Sequence, residues 1–327
     1  MVKIGVLGAG FLGKIHIRLI KQISDFELIG FYDSDPEVVK KTIEEFGIKA
    51  FRSAGELINA ADAIDIVTPT TSHFEHAVAA IKSSKHIFIE KPITYSIDEA
   101  KKLVKLTNEA NIVAQAGHVE RFNPGFLAAK PSIQNPMFIE AHRLGQFNPR
   151  GTDVPVVLDL MIHDIDIVLS IVPSSIRKIS ASGVPVISDT PDIANARLEF
   201  DNGAVANLTA SRISLSKMRK CRIFQRDTYI SIDFLNKDTE LFHIRNFDPS
   251  EKQPVLTINP GNGKDIKGIV IDKPVIVQTN AIQEELRCFH ASIVNNTPPA
   301  VSIEDGYSAL DLALKILDIM GNNTIPE

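Results

Sequence analysis

A glycine turn near the amino terminus constrains this chain more than any other feature. Val2-Lys-Ile-Gly-Val-Leu7 is a short apolar run with the length and Val/Ile content of a buried parallel strand. It leads directly into Gly8-Ala-Gly10-Phe-Leu-Gly13, after which apolar residues recur at helical spacing (Leu12, Ile15, Leu19, Ile20, Ile23). Each glycine has its own task. Gly8 makes the tight turn, Gly10 lets the backbone approach a pyrophosphate, and Gly13 lets helix and strand pack closely. The helix N-terminus then faces the negative charge. Phe26 to Tyr32 reads as a second strand, ending at Asp33, about 20 residues past the last glycine, where an acid accepts ribose hydroxyls. Strand, turn, helix, strand and acid together predict a dinucleotide site that uses Gly8, Gly10, Phe11, Leu12, Gly13 and Asp33. The charge of Asp33 repels the extra phosphate of NADP, and Ser34-Asp35 brings no arginine to offset it. NAD is therefore expected rather than NADP. Asp33-Ser-Asp-Pro36 also reads as a turn and helix start, and both tasks can hold together.

The alternation continues. Helical patterns at 36–46, 53–59, 73–82 and 97–110 interleave with strand patterns at 48–51, 63–67, 85–89 and 112–116. This predicts a doubly wound parallel sheet, here a Rossmann NAD(P)-binding domain over residues 1–120. Ligands bind at the carboxyl ends of such strands. Two polar turns lie there. Thr68-Pro69-Thr70, with His73 behind it, and Glu90-Lys91-Pro92 are added to the cofactor-binding residues. A lysine at a strand end before proline is presented to the crevice, where neighbours can lower its pKa for proton transfer. His73 and His76 are three apart but lack carboxylate or cysteine company, so they read as first-turn helix residues and no metal is expected.

In mid-chain, Asp159-Leu-Met-Ile-His163-Asp164-Ile-Asp166 sets four ionisable residues in an apolar run. An unpartnered buried charge costs several kcal/mol, so the pattern needs a reason. As a helix starting near Val154, it places Asp159, His163 and Asp166 on one face. The histidine is either an acid/base with an orienting carboxylate or a satisfied structural residue. Gly117 to Pro124 is a hinge whose His118 and Arg121 either line a cleft or pair locally. Phe147 to Asp153 is a breaker-rich loop. Past Pro173, period-two runs at 176–183, 193–200, 204–211, 218–225 and 228–234 predict a mainly antiparallel sheet. Residues 242–268 read as loop, and 281–295 and 303–320 as helices, the second opened by the Ser302-x-x-Asp305 capping pattern. Residues 121–327 thus read as a second, α+β domain. Arg143, Arg150, Arg212, Lys217 and Arg219 are either a solvated face or contacts for a charged substrate.

A net charge of −5 gives no basic excess with which to neutralise phosphates, which argues against nucleic acid. No apolar run reaches about 18 residues, so no membrane span is expected. The glycines interrupt any leader-like segment. Cys221 and Cys288 fit no metal or redox spacing and suit a reducing, cytoplasmic setting.

The glycine turn, Thr68-Pro-Thr, Glu90-Lys91-Pro92 and Asp159-x-x-x-His163-x-x-Asp166 occur in an order that resembles the glucose–fructose oxidoreductase / inositol dehydrogenase / rhizopine-catabolism (Gfo/Idh/MocA) family of NAD(P)-dependent oxidoreductases, over essentially the whole chain. The resemblance implies catalytic roles for Lys91, His163 and Asp159. It also implies a C-terminal domain with a large, mostly antiparallel sheet, and a homodimer or homotetramer. The family often has glycine two residues before the histidine, where this chain has Met161. The surrounding segments look most like a branch acting on nucleotide sugars, similar to UDP-N-acetylglucosamine 3-dehydrogenases. The expected substrate contacts are then His118, Arg121, Arg143 and Arg150. A dehydrogenase of free sugars or inositol is the nearest alternative, and a non-catalytic NAD-binding sensor is the alternative of another class.

Overall fold

β1 (Val2–Leu7) is buried without interruption from Ile4 to Leu7, as suits a central parallel strand. It pairs in parallel with β2 (Phe26–Tyr32) on one side and β3 (Ala63–Ile66) on the other. β4 (His86–Glu90) and β5 (Ala114–Gly117) complete a five-stranded parallel sheet of order β2-β1-β3-β4-β5. The connections are helical: α1 (Phe11–Ile20), α2 (Pro36–Phe46), α3 (Ala54–Ala60), α4 (His73–Lys82) and α5 (Ile97–Ala110). The structure is a computed structural model that describes residues 1–148, 154–248 and 256–322. The expected strand at 48–51 is reduced to one parallel bridge between Phe31 and Ala50. Gly47, at φ +63, ends α2, and Ser53 already caps α3, so too little chain remains between them for a full strand.

After Phe122 comes α6 (Pro124–Ala129), capped by Asn123. The second unit is built on β6 (Phe138–Leu144), α7 (Ile162–Ile171), β7 (Ile176–Val184), β8 (Ile193–Phe200), β9 (Val205–Ser211), β10 (Met218–Gln225), β11 (Thr228–Asp233), β12 (Asp238–Asn246), β13 (Leu256–Ile258) and β14 (Lys267–Asp272). Among the described residues its nine strands run β13-β14-β12-β11-β10-β6-β9-β8-β7. All pairs are antiparallel except β6 with β9. Burial alternates along the central strands, as in β6 and β9, and α7 packs on both. The reading of 242–268 as loop is corrected. Phe242–Asn246 continues β12, and β13 and β14 pair beyond it. An edge strand in need of partners outweighed the Pro, Gly and Asn content.

The chain divides into two compact units, the first made of two separate stretches. The first unit comprises Met1–Phe122 together with Thr279–Asp311, and the second comprises Asn123–Gln278 and Leu312–Glu327. The returning stretch carries α8 (Ala281–Asn295) and the start of α9 (Ile303–Asn322). Leu286 and Phe289 of α8 are buried in the first unit's core, where Phe289 meets Phe88 edge to face at 5.9 Å. Burial of these two side chains contributes roughly 1.5–3 kcal/mol each, which explains why the segment docks there.

Candidate active site

In the first unit, the strand order reverses direction between β1 and β3, the place where open α/β sheets bind ligands. Gly8 has φ +92, and a Cβ on it would lie 2.7 Å from the Val67 carbonyl oxygen, so the glycine turn and the Thr68 turn lie against each other. A Cβ on Gly13 would collide with the Gly8 carbonyl. A Cβ on Gly10 would meet nothing within 4 Å. That side is open, as close approach of a pyrophosphate requires. Phe11, the first residue of α1, is 88% exposed beside it, and Leu12 is half-buried. Asp33 has two tasks. Its Oδ2 accepts from the Ala9 amide at 2.7 Å and its Oδ1 from the Asp35 amide at 2.9 Å, which ties the end of β2 to the glycine turn. A carboxylate has about four acceptor positions, so positions remain for ribose hydroxyls.

His73 opens α4 as its first residue. It is buried, with Nε2 2.8 Å from the Thr68 carbonyl and Nδ1 2.9 Å from the Pro92 carbonyl. It joins the two polar turns. Burial lowers its pKa against the pull of both carbonyls and of Glu90. The neutral ring donates to one carbonyl at a time.

Lys91 is half-buried at the end of β4, and the Lys91–Pro92 bond is cis. The Glu90 carboxylate turns inward. Its Oε2 accepts from the Lys91 amide at 3.2 Å, and its Oε1 faces His16 Nε2 at 3.3 Å. His16 Nδ1 also bonds Asp65 at 2.9 Å, with both side chains fully buried. Burial works against the charged His16 ring, yet Asp65 and Glu90 together raise its pKa well above the usual value. Sequence reasoning passed over His16 and Asp65. The signal was a polar residue on the buried face of α1 and an acid in the otherwise apolar strand Ala63-Ile-Asp-Ile66.

The Asp159 to His163 segment lies in the second unit. Residues Val157–Met161 form a π-helical turn that runs into α7. Such turns recur at functional sites. The wider turn advances each residue by less than an α-helical step, so residues four apart come closer to alignment. Asp159 and His163, four apart, are both half-buried. Asp164 and Asp166 are buried, so α7 does not segregate its charges onto one face. Arg143, expected to meet substrate, is 2% exposed and lies under the helix. Its Nε and Nη2 donate to Asp164 at 3.0 and 2.9 Å. Met161 is fully buried. His118 is buried just past β5, and Arg121 reaches Asp305 at 3.4 Å, where Asp305 also closes the predicted cap with Ser302. Arg150 and the rest of 149–153 lie outside the described residues. Among the described residues, no cluster of metal-ligating side chains occurs, and no helix is long and apolar enough to cross a membrane.

Known proteins match this arrangement. Residues 2–118 match the oxidoreductase family with the NAD-binding Rossmann fold, and 139–230 match the GFO/IDH/MocA C-terminal domain. The chain is 37% identical over 243 residues to a UDP-N-acetylglucosamine 3-dehydrogenase of Acidithiobacillus ferrooxidans, covering 74% of this chain and 77% of that protein. The chain belongs to the Gfo/Idh/MocA oxidoreductase family. A solved structure of a UDP-N-acetylglucosamine 3-dehydrogenase from A. ferrooxidans superposes with a TM-score of 0.88 at 31% identity, covering 98% of both chains. A myo-inositol 2-dehydrogenase of Thermotoga maritima is 26% identical over 94% of this chain and 93% of its own. The scyllo-inositol dehydrogenase of Lactobacillus casei, solved with NAD(H) and scyllo-inositol, shares the fold at a TM-score of 0.78 and 22% identity, covering 99% of this chain and 98% of its own. The cofactor domain is thus an NAD-binding Rossmann fold, and the open side at Gly10 and the acceptor at Asp33 fit NAD.

Proposed function

We propose that this protein is an NAD-dependent dehydrogenase that oxidises a sugar secondary alcohol to a ketone, acting on a nucleotide sugar of the UDP-N-acetylglucosamine kind at C3. The supporting observation is the 31% identity to a UDP-N-acetylglucosamine 3-dehydrogenase at nearly full length, with Lys91 and the Asp159/His163 pair all present. The carbinol carbon gives up a hydride and the hydroxyl a proton. NAD, when bound, supplies the hydride acceptor. In this reading Lys91 donates to the oxygen as negative charge develops on it. His163 takes the hydroxyl proton, and Asp159 holds the ring in the tautomer that accepts it and favours the imidazolium. Gly8, Gly10, Gly13, Asp33 and the Thr68-Pro69-Thr70 turn hold the cofactor. NAD is preferred over NADP because Asp33 is an acid with no arginine following it. Arg143 is engaged with Asp164 and Arg121 with Asp305, so Arg150, with His118, is assigned to the charged part of the substrate.

The inositol dehydrogenase of T. maritima, aligned along nearly the whole chain, supports a free cyclitol as the second reading. A non-catalytic sensor has no need of Lys91 and His163 together. Reduction of NAD and NADP is measured against nucleotide sugars, free sugars and inositols. NAD reduction with a UDP-sugar supports the proposal, and turnover of inositols alone rejects its substrate. Arg150→Ala raises KM for the UDP-sugar and leaves an inositol unaffected. Lys91→Ala and His163→Ala each slow hydride transfer by about 10²–10⁴-fold. If both variants keep wild-type transfer rates with NAD bound, neither residue has its assigned role.

We further propose a homodimer or homotetramer formed through the sheet face opposite α7. Phe138, Phe224, Tyr229 and Phe242 form a partly exposed aromatic row across four strands, with successive ring centroids 6.1, 4.7 and 4.9 Å apart. A monomer mass by light scattering rejects this assembly.

A further inference from the structure

The buried set of His16 with Asp65 and Glu90 has two further members. Glu285 on α8 is fully buried, and Gln115 on β5 donates from Nε2 to the Glu285 main-chain carbonyl at 2.9 Å. His16, Asp65, Gln115 and Glu285 are all 0% exposed, and Glu90 is 7% exposed. Five elements of the first unit therefore converge on one cluster: α1, β3, β4, β5 and α8.

The charges do not balance. Three carboxyls face one imidazole, and Lys91 adds a second positive charge beside Glu90. With every group ionised, the cluster carries one surplus negative charge in the protein interior, which is strongly unfavourable. A single added proton removes it. Asp65 and Glu90 both adjoin His16, so each already has a cation. Glu285 adjoins no cation as closely.

Donors and acceptors do not balance either. Asp65 Oδ1, Gln115 Oε1 and both carboxyl oxygens of Glu285 are buried acceptors without a hydrogen-bond donor among the described residues. A protonated carboxyl is a donor. One proton on Glu285 removes the surplus charge and supplies one of the missing donors.

We propose that Glu285 carries a proton in the working protein, and that the His16–Asp65–Glu90 set it balances is a positioning device that seats Lys91 through Glu90. His16 as imidazolium keeps Glu90 ionised, and Glu90 in turn holds the Lys91 amide. Burial, and then the charge of Glu90, push the Glu285 pKa well above the usual carboxyl value, in line with this arrangement. The groups facing Glu285 are His16 from α1, Asp65 from β3 and Glu90 from β4, with uncharged Gln115 from β5 and Cys288 on its own helix. The turn Val119–Phe122 also packs on α8 and carries Glu120 and Arg121.

The sign of the linkage follows. A carboxyl whose pKa is higher in the folded than in the unfolded state contributes stability that is fully present below the unfolded value. That stability is lost as pH rises through the folded value. The wild-type protein therefore loses stability from the ordinary carboxyl range upward. His16, also raised, adds loss of the same sign at higher pH.

The link to Lys91 rests on the dehydrogenase reading, whereas the proton on Glu285 does not, so the two are tested separately. Infrared spectra at about pH 7 show a protonated-carboxyl carbonyl band in the wild type, and Glu285→Gln removes it. Absence of the band, or its survival in E285Q, overturns the proton. Thermal unfolding gives a second readout. E285Q melts with the wild type at about pH 5 and above it at about pH 8. An E285Q that melts below the wild type at the higher pH overturns the proposal. For the positioning role, His16→Asn is compared with the wild type in NAD reduction. Expected are an NAD Kd within about threefold, a kcat lowered about tenfold or more, and a limb of the pH profile moved by about one unit. A kcat loss with an unmoved pH profile indicates a merely structural residue and overturns the link to Lys91. Failure of the wild type to turn over any sugar overturns the dehydrogenase reading and leaves the infrared test intact.

Discussion

Arg143 and Asp164 in the second unit meet through two parallel contacts, with both side chains buried. His16 in the first unit is shared between Asp65 and Glu90, with Glu285 beyond. Both arrangements lie directly behind a residue proposed to act on substrate. Asp164 is the neighbour of His163 in the chain, and Glu90 is the neighbour of Lys91. They solve the same problem differently. The guanidinium fork fixes α7 to β6 by geometry, and the planar match sets one cation against one anion. The first unit has more acids than cations, so it holds its turn through groups whose charge depends on protons. A helix carrying the proposed base needs a rigid seat. A lysine at a strand end sits on a seat that answers to pH.

The largest effect that can break this contrast is Arg143→Ala. It leaves Asp164 buried without its guanidinium and costs about 3–5 kcal/mol, measured by chemical denaturation. Arg143→Met combined with Asp164→Leu restores most of that loss, because an apolar pair of similar volume replaces the ion pair. If the double variant is as unstable as the single one, the pair does more than satisfy itself. Gly13→Ala comes next. Its methyl meets the Gly8 carbonyl, and overpacking at such a contact costs about 1–3 kcal/mol. Gly10→Ala, three residues earlier, has open space and changes stability by less than about 0.5 kcal/mol. It raises the NAD Kd all the same, because the added methyl occupies the side the pyrophosphate approaches. Equal melting temperatures for the two variants would contradict this geometry. His73→Phe is the smallest of the destabilising changes. It leaves the Thr68 and Pro92 carbonyls without their shared donor, at about 1–2 kcal/mol, and loosens the link between the cofactor turn and the Lys91 turn. Unchanged melting and unchanged NAD affinity in this variant would remove His73 from the seat.

Features set by contiguous residues are legible in the chain alone. The glycine turn, Asp33 and the Lys91 turn each follow from spacing around a βα junction, where local geometry determines what the backbone can approach. The alternation of β6, β8, β9 and β11 is equally plain, because one face of each is largely buried. Long-range partners are not legible. Arg143 and Asp164 are 21 residues apart and Gln115 and Glu285 are 170 apart, and nothing local marks either pair. An arginine on a strand looks the same whether it faces solvent, substrate or a buried acid. The outer strands from β12 to β14 escape sequence reading for a related reason. Their composition is that of loop, and their order comes from the exposed edge of β11 rather than from their own propensity. His73 stands in between. Its place on the first turn of α4 is legible, but the two carbonyls it reaches are not.

The return of α8 to the first unit has a consequence for how the protein is made. On the ribosome, β1 to β5 emerge long before residue 281. The intervening stretch 123–278 takes about 8–30 s to synthesise at typical rates. Throughout that interval the surface of Phe88 that later receives Phe289 is bare, and the acid cluster lacks Glu285. A nascent chain stopped at Phe122 is therefore an incomplete NAD module with exposed core, a natural client for chaperones. The cofactor domain becomes whole only when residues 279–311 arrive.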